Sequence, residues 1–320
     1  MNANTDYQDV FSKGTLVRLE TSCWTGRAKI PSRVLLDGSN HADVDPKAVG
    51  AHKRLVDGKA LRDVEKIRGE AQQWLYSRSL PFPLKGAVFV PTSEVSKVHE
   101  ALQGFAERYA EAADDFAADF GSLREAAKAS LGSLYDEADY PPNVRAKFGF
   151  SWQFFTLSAP GENQILDPAI VADANAKFSA LMAEAGQQAV AALRSRFAES
   201  VDRMVERLSG ESDDPKRKGK PKVFRDSLVG NLREFFDSFK SLNVSNDADL
   251  EALVSKAQAA LAGVDVKDLR SNESLRAHVA KQMGAVQESL DGMMVDRPTR
   301  KLRFGKATDT PDENGGEKAA

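Results

Sequence analysis

Eleven apolar residues, Ile170, Ala174, Phe178, Leu181, Ala185, Ala189, Leu193, Phe197, Val201, Val205 and Leu208, recur at steps of three and four. That spacing keeps one stripe of a single helix apolar for about eleven turns, roughly 60 Å at 1.5 Å per residue. So long a stripe has to be buried along other elements of the chain or along a partner. Asp167-Pro168 opens the helix, with aspartate as N-cap and proline in the first helical position. A second long helix opens at Thr92-Ser93-Glu94 with a hydroxyl cap. Along it Val98, Leu102, Phe105, Tyr109, Ala112 and Phe116 alternate steps of four and three. This heptad period suits a coiled-coil-like course beside a partner helix. The pattern fades at Leu131-Gly132, and Pro141-Pro142 breaks the chain.

The strand signals are short. Phe148, Phe150, Trp152 and Phe154 alternate with small and polar residues, so one face of that strand is almost wholly aromatic and must be covered. The two long helices flank it in sequence and are the obvious cover. Val17 and Leu19 mark an alternating strand over Thr15–Thr21, which leads into Cys23-Trp24-Thr25-Gly26-Arg27 with a turn at Gly26. Gly86–Val90 reads as a short buried strand. Asp45-Pro46 repeats the Asp-Pro start and predicts a helix carrying Leu55, Leu61, Val64, Ile67, Ala71, Trp74 and Leu75, stopped by Leu80-Pro81-Phe82-Pro83. The expected fold is mainly α with a small antiparallel sheet (α+β): a long helical hairpin capped by about three strands, plus a C-terminal helical segment.

Ser209–Lys222 has no apolar residue to anchor it and switches from acidic to basic. Beyond it Phe224, Leu228, Leu232, Phe235, Phe236, Phe239 and Leu242 form a strongly amphipathic helix, and two shorter helices follow near 247–262 and 272–292. The expected organisation is a flexible terminus at 1–13 and a sheet-capped domain at 14–209. A basic linker at 210–222, a helical region at 223–294 and a disordered tail at 295–320 follow.

Chemistry is hard to find. The four histidines are scattered with no second ligand at a metal-binding spacing. Gly58-Lys59 and Gly219-Lys220 both lack the frame of a phosphate loop. The acid pairs Asp43/Asp45, Asp114/Asp115, Asp213/Asp214 and Asp247/Asp249 sit in no calcium-loop frame and read as solvated faces. Cys23, beside Trp24, reads as a structural thiol in a reducing compartment. No apolar run approaches the roughly 20 residues of a membrane helix, and Met1–Ser12 lacks the apolar core of a signal peptide. The expectation is a non-enzymatic cytoplasmic protein with no cofactor, no metal and no membrane contact.

Surfaces remain. The net charge of -3 makes the whole chain no magnet for nucleic acid, so such binding needs a local patch. Two runs qualify: Lys216, Arg217, Lys218, Lys220 and Lys222, and then Arg300, Lys301 and Arg303 with their neighbours. Phe235, Phe236 and Phe239 give the 223–242 helix an aromatic face that either folds back or docks a partner. Trp24 reads as a core ring and Gly26 as a turn. Arg27 is expected to pair with an acid of the long helices, or with a partner's phosphate or carboxylate.

The passage Cys23-Trp24-Thr25-Gly26-Arg27-Ala28-Lys29-Ile30 resembles a known family, and so does the order that follows it. That order is Leu80-Pro81-Phe82, then Gly86-Ala87-Val88-Phe89-Val90-Pro91, then a long helix, then Phe148-Gly149-Phe150. The family is domain-of-unknown-function family 3150, found in bacteriophages and integrative mobile elements, and the resemblance spans roughly residues 15–205. It has no catalytic residues to carry over. Its members are often encoded near a MoxR or cobalt-chelatase-like AAA+ ATPase, which implies an adaptor for such a machine in the bacterial cytoplasm. The function expected is therefore a phage or mobile-element interaction protein, oligomeric or an ATPase adaptor. The alternative is a nucleic-acid-associated accessory protein using the basic linker and tail.

Overall fold

The alternation along Thr15–Thr21 does make a strand, and that strand lies at the centre of the molecule. The computed structural model describes residues 13–32, 45, 47–159, 167–209 and 226–295. In chain order the elements are β1 (Gly14–Ser22), β2 (Arg27–Ile30), β3 (Ala51–Arg54), α1 (Arg62–Ser77), β4 (Leu80–Pro81), β5 (Ala87–Pro91), α2 (Thr92–Leu131), β6 (Gly149–Phe155), α3 (Pro168–Ser209), α4 (Asp226–Leu242), α5 (Ala248–Leu261), α6 (Val266–Ser271) and α7 (Glu273–Val295). The fold is mainly helical with small antiparallel sheets. Four strands pair in the order β4-β5-β1-β6, and β2 and β3 pair separately. None of the described helices is long and apolar enough to cross a membrane.

Side chains alternate across a sheet, so the register of β1 sorts the core. Val17 lies opposite Val88 on β5 and Phe154 on β6, and Leu19 lies opposite Trp152. This face packs with Leu75 of α1 and with Val98 and Leu102 of α2. Leu16 points the other way, opposite Phe89 and Phe155. It packs with Met182, Ala185, Ala189 and Leu193 of α3, and through them with Leu232, Leu250, Val279 and Met283 from α4, α5 and α7. β5 is buried along its whole length because both of its faces are covered.

The aromatic strand is covered in part, and by α2 alone of the two long helices: Tyr109 lies 5.6 Å from Phe150 and Phe116 5.4 Å from Phe148, whereas Phe154 stays 37% exposed. The hairpin geometry differs from expectation. The long helices bracket the sheet from opposite faces instead of lying against each other, because β1 and β5 carry large apolar residues on both sides. The heptad face of α2 is used up inside the chain. Val98, Leu102, Tyr109 and Phe116 are all buried, against the sheet and α1, so this face is no coiled-coil seam between chains. The core also fails to divide at residue 210, since the stripe of α3 is buried largely by the helices that follow it. That stripe is partly buried at Phe178 and Leu181 and largely buried from Met182 onward, and Ile170 near the start of the helix is 56% exposed.

Helix starts follow local chemistry. Asp167 Oδ1 accepts the Ala169 N–H at 2.8 Å, as the Asp-Pro start requires. Asp45 makes the same bond to Lys47, yet only a turn results: Ala51–Arg54 pairs with Arg27–Ile30, and the helix begins at Arg62. The Leu55 N–H is already held by the Gly26 carbonyl at 2.7 Å, which takes the backbone away from helical bonding. Gly26 adopts φ 61°, and a Cβ there would come within 3.0 Å of Val56. Thr92 does not cap α2; its hydroxyl donates to the Lys13 carbonyl at 2.7 Å and ties the helix to the start of β1.

Candidate interaction site

Three helices each turn one polar stripe toward a common cleft. On α1 the stripe is Glu70, Gln73, Trp74 and Ser77. On α3 it is Arg196, Glu199, Ser200 and Arg203, and on α4 it is Asn231, Glu234, Phe235 and Ser238. Every stripe runs i, i+3, i+4, i+7, the spacing that places side chains on one helical face. Phe105 and Arg108 of α2 complete the wall, as does Arg78 just past the end of α1. The cleft is open, holds about 640 Å³ and lies along the seam between the two cores.

Four arginines and three glutamates line it. Two of the guanidiniums lie on aromatic rings, Arg78 at 5.9 Å from the Trp74 centroid and Arg108 at 5.5 Å from Phe105. A planar guanidinium laid on a ring stays charged while shedding little hydration. Arg108 also pairs with Glu70 at 2.9 Å, and Arg203 with Glu199 at 3.6 Å, both on exposed ground. Arg196 donates to the Ser79 carbonyl at 2.8 Å. Burial pulls its affinity for its proton down, and Glu199 partly opposes this. Phe235 stacks on Phe197 at 5.3 Å with the rings 8° from parallel, which fixes the aromatic floor.

Glu94 fastens the seam behind the cleft. It is buried, and its carboxylate meets Arg78 at 3.6 Å, Lys97 at 3.3 Å and the Ser241 hydroxyl of α4 at 3.1 Å. Arg194 of α3 and Asp247, the N-cap of α5, make a second clamp at 2.6 Å, and the same carboxylate accepts the Leu250 N–H. That bond to Asp247 is the main cause of the raised proton affinity of Arg194. One member of the sequence's acid pairs is therefore a cap and a clamp, not a solvated charge. Among the described residues no group of three or more His, Cys, Asp or Glu is arranged to hold a metal ion.

The residues singled out from sequence do not converge. Trp24 is packed at 6.0 Å from Phe116, 5.5 Å from Phe120 and 6.4 Å from Tyr140, as a core ring. Arg27 finds no acid on the long helices; it is exposed on β2, opposite Arg54. Phe236 and Phe239 are buried in the second core, which corrects their reading as docking residues. The helix folds back because Phe197 and its neighbours on α3 offer a matching apolar face. Only Phe235 reaches the cleft. Lys216, Arg217, Lys218, Lys220 and Lys222, and likewise Arg300, Lys301 and Arg303, lie outside the described residues. His99 is exposed against Trp152 and Phe154. Cys23 is half-buried beside Tyr109, and burial pushes its pKa up, which suits an inert thiol.

Sequence reasoning missed Trp74, Phe105, Arg78, Arg108, Arg196 and Arg203 as one group. The signal was present: polar stripes at helical spacing that mix arginine with aromatic rings, the residue types that concentrate binding energy at interfaces. No curated protein and no solved structure matches the chain. A family model described as "Protein of unknown function (DUF3150)" matches residues 12–265.

Proposed function

We propose that this chain, which belongs to the DUF3150 family, is a non-enzymatic adaptor of phages and mobile elements, and that the cleft receives its protein partner. One observation carries the reading: four arginines and the rings of Trp74, Phe105 and Phe235 converge on one open cleft at the seam of two cores. Such a cleft suits a partner segment with an apolar side chain for the floor and carboxylates for the rim. The partner proposed is a MoxR or cobalt-chelatase-like AAA+ ATPase in the bacterial cytoplasm. The choice of ATPase rests on gene association in the family, not on a residue of this chain. Because the cleft borders both cores, a bound segment would bias how the two are held together.

The test is a double charge reversal, Arg108→Glu with Arg203→Glu. Both side chains are more than half exposed, so the fold should survive. Affinity purification of the full chain from its native host should recover the ATPase with the wild type and lose it with the variant. Equal recovery with both, or no ATPase with either, would contradict the reading.

A further inference from the structure

The outer face of the β2–β3 ribbon carries a charge arrangement that folding does not explain. Its register places Arg27 opposite Arg54 and Lys29 opposite His52. Opposite residues of an antiparallel pair share a face and the side-chain period is two, so all four lie on one face. All four are exposed. The inner face holds Ala28, Ile30, Ala51 and Lys53, and it is this face that docks on the molecule. Ile30 is buried, and Lys53 donates to the Leu134 carbonyl at 2.6 Å and pairs with Asp139 at 2.6 Å.

The ribbon is thus anchored from behind and presents three permanent cations and an imidazole outward. Among the described residues no carboxylate pairs with any of them. Like charges directly opposite each other across strands are destabilising. Arg27 and Arg54 therefore weaken the ribbon they belong to, and neither is recruited into the core or a clamp.

We propose that this face binds the phosphate backbone of duplex nucleic acid. The cations stand about 5 Å apart across the ribbon and about 7 Å apart along it. Duplex DNA carries one negative charge per 1.7 Å of axis, so a face of this size addresses about three phosphates. A protein partner would need an apolar centre to its interface, and this face has none. Nucleic-acid interfaces are instead polar and strongly positive. The rings packed with Ala28 behind the ribbon, Trp24, Tyr135 and Tyr140, lie against one another, so base stacking on single strands is not served by the outer face. The contact is to the backbone and carries no sequence preference of its own. It is independent of the cleft, and the cleft variant should leave it unchanged.

Fluorescence anisotropy of a labelled duplex of arbitrary sequence, titrated with the full chain between 50 and 200 mM salt, tests this. The triple variant Arg27→Ala, Lys29→Ala, Arg54→Ala should bind at least about tenfold more weakly at the lowest salt. Its log K against log salt slope should shrink by about 2.7, the value for three lost phosphate contacts. A charge-conserving variant, Arg27→Lys with Arg54→Lys, should keep the wild-type slope. Neutralising Lys216, Arg217, Lys218, Lys220 and Lys222 in a separate variant should leave the triple variant's change of slope in place. Three results would overturn the proposal: no duplex binding by the wild type at 50 mM salt, an unchanged slope in a folded triple variant, or equally tight binding of polyglutamate or anionic vesicles.

Discussion

On one face of the sheet the core is aromatic. Trp24, Phe116, Phe120, Tyr140 and Phe148 form one ring cluster, and Tyr109, Phe150 and Trp152 form a second packed beside it, with neighbouring centroids 5.4 to 6.4 Å apart. On the other face the core is mostly aliphatic. Ala185, Gly186 and Ala189 give α3 a smooth segment, Leu232, Leu250, Val279 and Met283 pack around the helix, and the phenylalanines gather in two places, around Phe197 and, as Phe82, Phe89 and Phe155, where α3 meets the sheet. The difference follows from what each core joins. Large rings fill the uneven space between a pleated sheet and the helix crossing it, whereas helices packed on helices meet at short range through small and aliphatic side chains. All three tryptophans, Trp24, Trp74 and Trp152, and the sole cysteine pack with the first region, so intrinsic fluorescence reports chiefly on that region, with Trp74 also facing the cleft.

The strongest way to break the comparison is Phe197→Ala. Phe197 is fully buried between Phe235 and Phe236, and its loss should cost about 3–5 kcal/mol. Urea unfolding followed by circular dichroism should show the loss in full, with a smaller shift by tryptophan fluorescence. Asp247→Ala removes a cap and leaves Arg194 without its clamp, and should cost roughly 2–3 kcal/mol by the same assay.

Alkaline pH should act on the first region. Burial raises the pKa of Cys23 above the ordinary thiol value of 9.0, and it raises Tyr109 and Tyr140 above the phenol value of 10.0. Above about pH 9 the unfolded chain releases these protons while the folded chain keeps them, so stability falls as pH rises. The fluorescence-monitored midpoint should drop over that range. Arg27→Ala should have the smallest effect, within about 0.5 kcal/mol and toward greater stability, because it relieves a like-charge pair. A thermal melt that falls by several degrees would show Arg27 to have a structural partner.

Much of the first region could be read from the chain. The period-two rings of Phe148–Phe154 and the stop at Gly132 are local signals with local causes, and the structure keeps them, as it keeps the Asp167-Pro168 start of α3 in the second region. The β2–β3 ribbon was hidden because its inner face includes Lys53, which reads as exposed until Asp139, far along the chain, is brought to it. Which long helix covers which face was equally hidden. β1 has buried residues on both sides, at Leu16 and Val17, and a strand buried twice does not say which helix lies where. The cleft escaped because each of its stripes, taken alone, looks like an ordinary solvated helix face. The three become a site only when α1, α3 and α4 are packed together.

Two cores on opposite faces of one sheet, each owning one long helix, is the claim on which the cleft and its partner depend. Hydrogen exchange of the whole chain, wild type against Phe197→Ala, addresses it most directly. The expected result is exchange faster by about a hundredfold to several thousandfold, the range that a loss of about 3–5 kcal/mol implies, in the buried turns of α3 and in α5 and α7, with residues Val98 to Phe116 of α2 keeping their wild-type protection. Equal acceleration in α2 and α3 would mean a single cooperative core and would contradict the claim.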